Sequence, residues 1–296
     1  MSVAATVAQS ARPNFLILAP ICVFPGLAAA YAAGHPLDLV TGALIVIAAL
    51  LAHAAVNLLN EWDDFRSGLD LATERTPFSG GSGALPAFPQ AAPAVLAAGL
   101  ASMGGTVLIG LYLMTQSGPG LLLPGLVGIF LVVAYTAWIT RRPLLCLLAP
   151  GIGFGPIMVA GSYYAVTGAY SLAVIWASMT PLLLVSALLL INQIPDLEPD
   201  RAHGRLHLPI LMGRPATARL FVVVLALAYI LPIAGVFAGV LPVMTLLVLI
   251  PAPAAVVLSR MVLLHADNTR ELTPWLGVNV ATLMVTIVML GMGFLV

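Results

Sequence analysis

Lysine is absent from this 296-residue chain, and charged residues of every kind make up only 7% of it. A water-soluble domain carries about a quarter charged residues. So little charge beside 61% hydrophobic residues excludes a free-standing aqueous globule. The eleven arginines balance the eleven carboxylates, and the formal net charge is zero. That removes any global electrostatic case for nucleic acid as a partner. Cysteine is scarce too: Cys22 and Cys146 lie far apart in apolar stretches, without zinc-site spacing and without the density of a disulfide framework. Both read as small packing or lipid-facing residues.

What the chain has instead is hydrocarbon in long runs. A helix needs about 20 apolar residues to cross a bilayer, and nine such runs lie near 14–34, 38–60, 91–115, 120–140, 144–166, 170–192, 217–239, 241–263 and 274–296. The expected fold is all-α and polytopic, one membrane domain over residues 1–296 with nine transmembrane helices. Arg12, the apolar run after it and GLAAAYAAG share features of a signal peptide. The many apolar runs that follow favour an uncleaved first helix. With the N-terminus in the cytoplasm, every arginine falls on the cytoplasmic side, as the positive-inside rule requires. The expected location is therefore a cell membrane, such as a bacterial inner membrane.

The acids are unevenly spread. Glu61, Asp63, Asp64, Asp70 and Glu74 lie in one cytoplasmic segment, 57–90, and Asp196, Glu198 and Asp200 in another, 192–216. Exclusion of charge from lipid explains why the spans lack acid, but not why two segments share a pattern. Asn60-x3-Asp64-x3-Gly68 is matched by Asn192-x3-Asp196-x3-Asp200-x3-Gly204. A four-residue spacing sets successive side chains on one helical face.

Carboxylates aimed at one point repel and take up protons unless a cation lies between them. Magnesium suits such a site, being held by one or two carboxylates together with substrate phosphates. His and Cys in ligand spacing are missing, which argues against zinc. His203 and His207 flank the second motif and read as polar loop residues, and the lone His53 reads as a core residue. Arg66, Arg75, Arg141, Arg201 and Arg205 accompany the acids. A guanidinium forks onto phosphate oxygens, so the combination implies a diphosphate substrate. Arg214, Arg219, Arg260 and Arg270 read as ordinary positive-inside residues. The segment RTPFSGGSGALP, 75–86, is flexible enough to bring backbone N–H groups to anionic oxygens.

At NEWDDFRSGLD (60–70), NQIPDLEPDRAHGR (192–205), ARPNFLILAP near the start and GPIMVAGSYYAVTG (155–168), the chain resembles the UbiA superfamily of intramembrane prenyltransferases. It is most similar there to the 1,4-dihydroxy-2-naphthoate polyprenyltransferase branch of menaquinone biosynthesis. The resemblance covers roughly residues 11–215. It implies nine helices around a central cavity, with both acidic segments at its cytoplasmic mouth. It also implies transfer of a polyprenyl group from its diphosphate to an aromatic acceptor in the bilayer. On this resemblance Glu61, Asp64, Asp70, Asp196 and Asp200 hold Mg2+, with Asp64 and Asp196 catalytic. Asn60, Arg66, Arg75, Arg141, Asn192, Arg201 and Arg205 bind substrate, and Tyr135 and Tyr163 face an allylic cation. Glu61 stands where the branch has Asp, Arg141 and Arg142 stand near its usual Lys, and a following Gly-Glu is absent. Other readings are a different quinone-precursor acceptor such as 4-hydroxybenzoate, an ion-coupled transporter, which needs acids at mid-span, and a CDP-alcohol phosphotransferase, whose DGxxAR opening is missing.

Overall fold

A computed structural model describes residues 1–73 and 75–296, and no strand occurs among them. Glu74, one of the acids of the first segment, lies outside the described residues. The principal helices are α1 (Val3–Ser10), α2 (Leu18–Ala32), α3 (Leu39–Ser67), α4 (Ala92–Ser117), α5 (Leu122–Ala134), α6 (Pro143–Ile152), α7 (Gly161–Thr167), α8 (Leu172–Asn192), α9 (Arg214–Phe237), α10 (Ala252–His265) and α11 (Thr269–Leu295). A π-helical stretch, Gly153–Ala160, joins α6 to α7 in one span. Pro150 and Pro156 remove backbone donors around it, and wider π turns are one way a membrane helix absorbs that loss.

Among the described residues seven helices are long and apolar enough to cross a membrane, or eight if the first pair, bent by 41°, counts as one span. That is fewer than the nine expected crossings. All nine apolar runs are helical, but the fourth is a shorter apolar helix, Pro119–Ala134. The chain leaves regular helix at Tyr135, ahead of the Arg141–Arg142–Pro143 turn.

Helix α3 carries the first motif, and its ends explain its length. Asp38 caps its start, accepting from Thr41 N at 2.8 Å, as an N-cap carboxylate does. Gly68 ends it in a left-handed conformation, φ 83°, the usual glycine stop. Between these caps nothing breaks the helix, so Asn60 and Asp64 extend directly from an apolar span. The second motif behaves differently. α8 ends at Asn192, and Pro195 and Pro199 start a separate short helix, Leu197–Ala202. A proline disfavours helix in the residue before it, so the expected single helical face is interrupted in this half.

The core centres on α8, whose apolar window is 61% buried. Leu184, Leu190 and Ile191 pack there against Phe221 and Leu225 of α9 and Leu283 and Ile287 of α11. Cys22 joins this cluster, Cys146 packs with Ile139 and Ala149, and both thiols are free and buried. At one end of the bundle Tyr164 accepts from Gly120 N at 3.1 Å and Tyr170 donates to Gly120 O at 2.9 Å. The opposite end gathers α1, the 75–88 loop, the end of α3 and the segment after α8.

Candidate functional site

Both acidic segments line one cavity of about 410 Å³. On α3, His53, Asn57, Asn60 and Asp64 all face it, because spacings of three and four residues return to one side of a helix. Asn192, Asp196, Asp200, Arg205 and His207 face it from the segment after α8, and Ser79, Gly80 and Gly81 from the first loop.

Arg205 ties the halves together. Its Nη2 pairs with Asp64 Oδ1, and its Nη1 lies 3.0 Å from Asp200 Oδ1. Asp200 Oδ2 meets His207 Nε2 at 2.9 Å, with His207 fully buried. Asn60 Nδ2 donates to Asp64 Oδ2 at 3.0 Å and lies 3.1 Å from Thr136 Oγ1. Burial opposes the charge on Arg205, but Asp64 and Asp200 overcome this and hold its pKa above the ordinary value.

Not all the acids are alike. Glu61 is fully buried and fully engaged: Arg12 Nη2 lies 3.1 Å from its Oε2, Ser82 N donates to that oxygen at 3.0 Å, and Ser82 Oγ donates to Oε1. It does not line the cavity. Through these contacts it joins the N-terminal turn to the glycine-rich loop, whereas the metal role expected of it needs free oxygens. The loop's N–H groups do reach carboxylates, as Gly80 N donates to Asp196 Oδ2 at 3.1 Å. The positive φ of Gly80 and Gly81, 80° and 74°, requires glycine there. A Cβ on Gly81 would also fall 2.5 Å from Asp70 Oδ1.

Three acceptor oxygens in this cavity wall are buried without a hydrogen-bond partner among the described residues: Asp70 Oδ2, Asn192 Oδ1 and Asp196 Oδ1. A buried unpaired acceptor costs about 1–3 kcal/mol, and a hard cation relieves that cost. No three Asp, Glu, His or Cys side chains among the described residues form a closed metal cage. Two carboxylates and an amide are an all-oxygen donor set of the kind that would suit Mg2+, which is usually held by one or two carboxylates with water and phosphate, and not a thiolate or imidazole metal.

Burial first, then Glu61 and Asp64, raise Asp70 to about 7. Burial first, then Asp200, raise Asp196 to about 7, against the Gly80 and Ser79 hydrogen bonds. The metal-free fold thus binds more protons than the unfolded chain between roughly pH 4 and 7, and loses stability as pH rises through that window. A cation bound at Asp70 and Asp196 would expel those protons. Thermal unfolding in detergent should accordingly show a larger Mg2+-induced stabilisation at pH 8 than at pH 5, and equal shifts at the two pH values would contradict the assignment.

Several arginines stand elsewhere. Arg66 is exposed and stacks on Trp62, 5.2 Å from the ring centroid. Arg201 is half exposed and pairs with Glu198 at 3.2 Å. Arg141 is exposed, and Arg75 is exposed with its guanidinium against Gly83. None of the four lines the cavity. The substrate role expected of these four thus has no support from the cavity lining, and for Arg66 and Arg201 the reason is that neighbours in sequence on a helix point about 100° apart. Tyr135 lines the cavity and Tyr163 does not. Tyr163 packs against Ala29, Val159, Ala160 and Val174, roughly 25–30 Å along the span from Pro143. The sequence reading missed Asn57, set His53 and His207 aside, and gave Arg12 no role at the site. The four-residue periodicity of α3 carried a signal for Asn57 and His53, and the ARPNFLILAP stretch contains Arg12 without marking it.

The sequence model described as the UbiA prenyltransferase family matches residues 19–283. The 1,4-dihydroxy-2-naphthoate octaprenyltransferase of Bacillus subtilis is 32% identical over 239 residues, 78% of this chain and 73% of that one. The protein of the same name from Escherichia coli is 28% identical over 211 residues, 69% and 68% of the two chains. Among solved structures, a UbiA homolog from Aeropyrum pernix aligns with a TM-score of 0.66 at 22% identity, covering 97% and 96% of the two chains. A UbiA homolog from Archaeoglobus fulgidus bound to GPP and Mg2+ aligns at 0.59 and 12% identity, over 96% and 99%. These last two likenesses establish the fold.

Proposed function

The chain belongs to the UbiA prenyltransferase family, and from that premise we propose that it transfers a polyprenyl group from an allylic diphosphate to 1,4-dihydroxy-2-naphthoate, with loss of the carboxylate as carbon dioxide. The observation that carries this reading is the set of unpartnered oxygens, Asp70 Oδ2, Asn192 Oδ1 and Asp196 Oδ1, beside the Arg205 guanidinium in one apolar-walled cavity. Relatives named as naphthoate octaprenyltransferases at 32% and 28% identity support the acceptor.

Asp70, Asp196 and Asn192 would hold Mg2+, which when bound neutralises negative charge on the departing diphosphate. Arg205, already at the mouth, turns from Asp64 and Asp200 onto phosphate oxygens, where a guanidinium stabilises charge that grows as the C1–O bond breaks. Both electrons of that bond leave with the diphosphate. The ring face of Tyr135 stabilises the allylic cation left at C1, and the apolar wall, including Phe154 and Ile157, keeps water from quenching it. The acceptor ring then forms the new carbon–carbon bond to C1, and its bond to the carboxylate breaks, returning that electron pair to the ring as carbon dioxide leaves.

The same reading sets the mouth on the cytoplasmic side of a cell membrane, supported by the arginine distribution. It also makes the short apolar helix Pro119–Ala134 a ninth crossing. The test is incubation of the purified full chain with Mg2+, a labelled polyprenyl diphosphate and either dihydroxynaphthoate or 4-hydroxybenzoate. Prenylated, decarboxylated naphthoate is the expected product. Transfer to hydroxybenzoate alone would replace the acceptor, and transfer to neither would refute the reading.

A further inference from the structure

Below the charged mouth the cavity wall has a second polar group with no role so far. His53 lies on the cavity face of α3, 7% exposed, and its Nδ1 has no hydrogen-bond partner among the described residues. The ring is held edge-on to Phe154, with centroids 4.8 Å apart and planes at 81°. It is therefore oriented by packing rather than by a hydrogen bond to protein. Counting along α3, it lies roughly 10 Å below Asn60 and 16 Å below Asp64, inside an apolar span. An unsatisfied polar group at hydrocarbon depth costs several kcal/mol, and a purely structural position would be filled more stably by an apolar ring.

The substrates differ in what they can offer this imidazole. A polyprenyl tail has no polar atom. The diphosphate is claimed by the mouth, about two to three helical turns away. A hydroxylated aromatic acceptor is the one substrate that carries hydrogen-bonding groups into the apolar part of the cavity. A second unpartnered buried group supports the same wall: Arg12 Nε faces no protein acceptor among the described residues, although Arg12 Nη2 is fixed by Glu61 at 3.1 Å. Arg12 holds a left-handed conformation, φ 53°, the only non-glycine residue with positive φ among those described. Asn57 Nδ2 secures that turn by donating to Ala11 O at 3.0 Å. Backbone strain of this kind persists where the surroundings enforce it, and here it brings a guanidinium to the cavity on the same side as His53.

We infer that His53 recognises a ring hydroxyl of the aromatic acceptor, orienting the acceptor's face towards C1 of the prenyl donor. This rests on the proposed aromatic transfer. It makes His53 a substrate-binding residue for one of the two substrates only, and this selectivity separates it from a structural role.

The test compares the wild-type chain with His53→Phe and His53→Gln, using 1,4-dihydroxy-2-naphthoate and the two monohydroxy-2-naphthoates that lack one or other hydroxyl. Comparing substrate preference between wild type and variant cancels the intrinsic reactivity of each ring. His53→Phe should lower kcat/KM for dihydroxynaphthoate about 10–100-fold, mainly through KM, as loss of one buried hydrogen bond implies. It should also abolish discrimination against one monohydroxy analogue. The KM for polyprenyl diphosphate should stay unchanged, the thermal midpoint should not fall, and His53→Gln should recover part of the acceptor affinity. Unchanged acceptor discrimination in His53→Phe, or a parallel rise in KM for the diphosphate, would overturn the inference. If the wild type transfers to no aromatic acceptor, the proposed function fails instead. His53 is then judged by calorimetric binding of dihydroxynaphthoate to the Mg2+-loaded chain, where no binding, or binding unaltered by His53→Phe, overturns it.

Discussion

Exchanging Asp196 for alanine should reduce prenyl transfer by roughly a thousandfold, the upper range for removing one group that stabilises transition-state charge. Asp196 is a carboxylate of the second half with one oxygen fixed, by Gly80 N at 3.1 Å, and the other buried without a partner. Its geometry is thus set before any cation arrives. The variant should still insert in the membrane, because no packing contact depends on that oxygen. Asp63→Ala is the matched control. Asp63 lies within the same acidic run but does not line the cavity, and its loss should change turnover less than twofold, like most surface substitutions. Turnover of Asp196→Ala above a tenth of wild type, measured at saturating Mg2+, would remove Asp196 from the site.

Arg205→Ala should be the most destabilising single change at the mouth. The guanidinium is 18% exposed and its partners Asp64 and Asp200 are 8% and 4% exposed. Its removal leaves buried carboxylates facing one another. Breaking a buried pair in this way costs about 3–5 kcal/mol. The loss should be conditional on the state of the site. Added Mg2+ with inorganic diphosphate, held at Asp70 and Asp196, would bring positive charge into the cavity that Asp64 and Asp200 also line and should return most of the lost stability. Thermal unfolding of wild type and variant with and without these additions reads the effect. A variant as stable as wild type without metal would show that Arg205 is no bridge between the halves. A deficit that Mg2+ and diphosphate leave untouched would show that no cation binds within reach of Asp64 and Asp200. Turnover of Arg205→Ala should be low even where stability is restored, since the phosphate-facing guanidinium is gone.

How far the site was legible followed from the local structure of each segment. The first motif lies on an unbroken helix, so counting by fours placed Asn60 and Asp64 correctly on the cavity side. The same count extended to Asn57 and His53, but a histidine inside an apolar run reads equally as a core residue until the cavity beside it is known. In the second motif Pro195 and Pro199 interrupt the helix, and Asp200 reaches Arg205 and His207 through a turn that spacing alone does not describe. Arg66 and Arg201 are each close in sequence to a site carboxylate yet turn away from the cavity, to Trp62 and Glu198, which spacing to the nearest acid does not reveal. Arg12 was hidden for the converse reason. Forty-nine residues separate it from Glu61, and only a left-handed turn after α1 brings it over the cavity. Hydropathy registers the run around residues 120–140 but not the loss of helix at Tyr135, which leaves that run a shorter helix, Pro119–Ala134, than the other spans.

Helix α3 runs for 29 residues without a break, about 43 Å at 1.5 Å per residue, against a hydrocarbon layer of roughly 30 Å. With its first turn at one face of that layer, its final turns, which bear Asn60 and Asp64, would reach the phosphoglycerol level at the other. On the proposed function, a lipid whose head is a diphosphate would already float at that height, and would glide sideways onto the site with its charges never leaving the wet stratum.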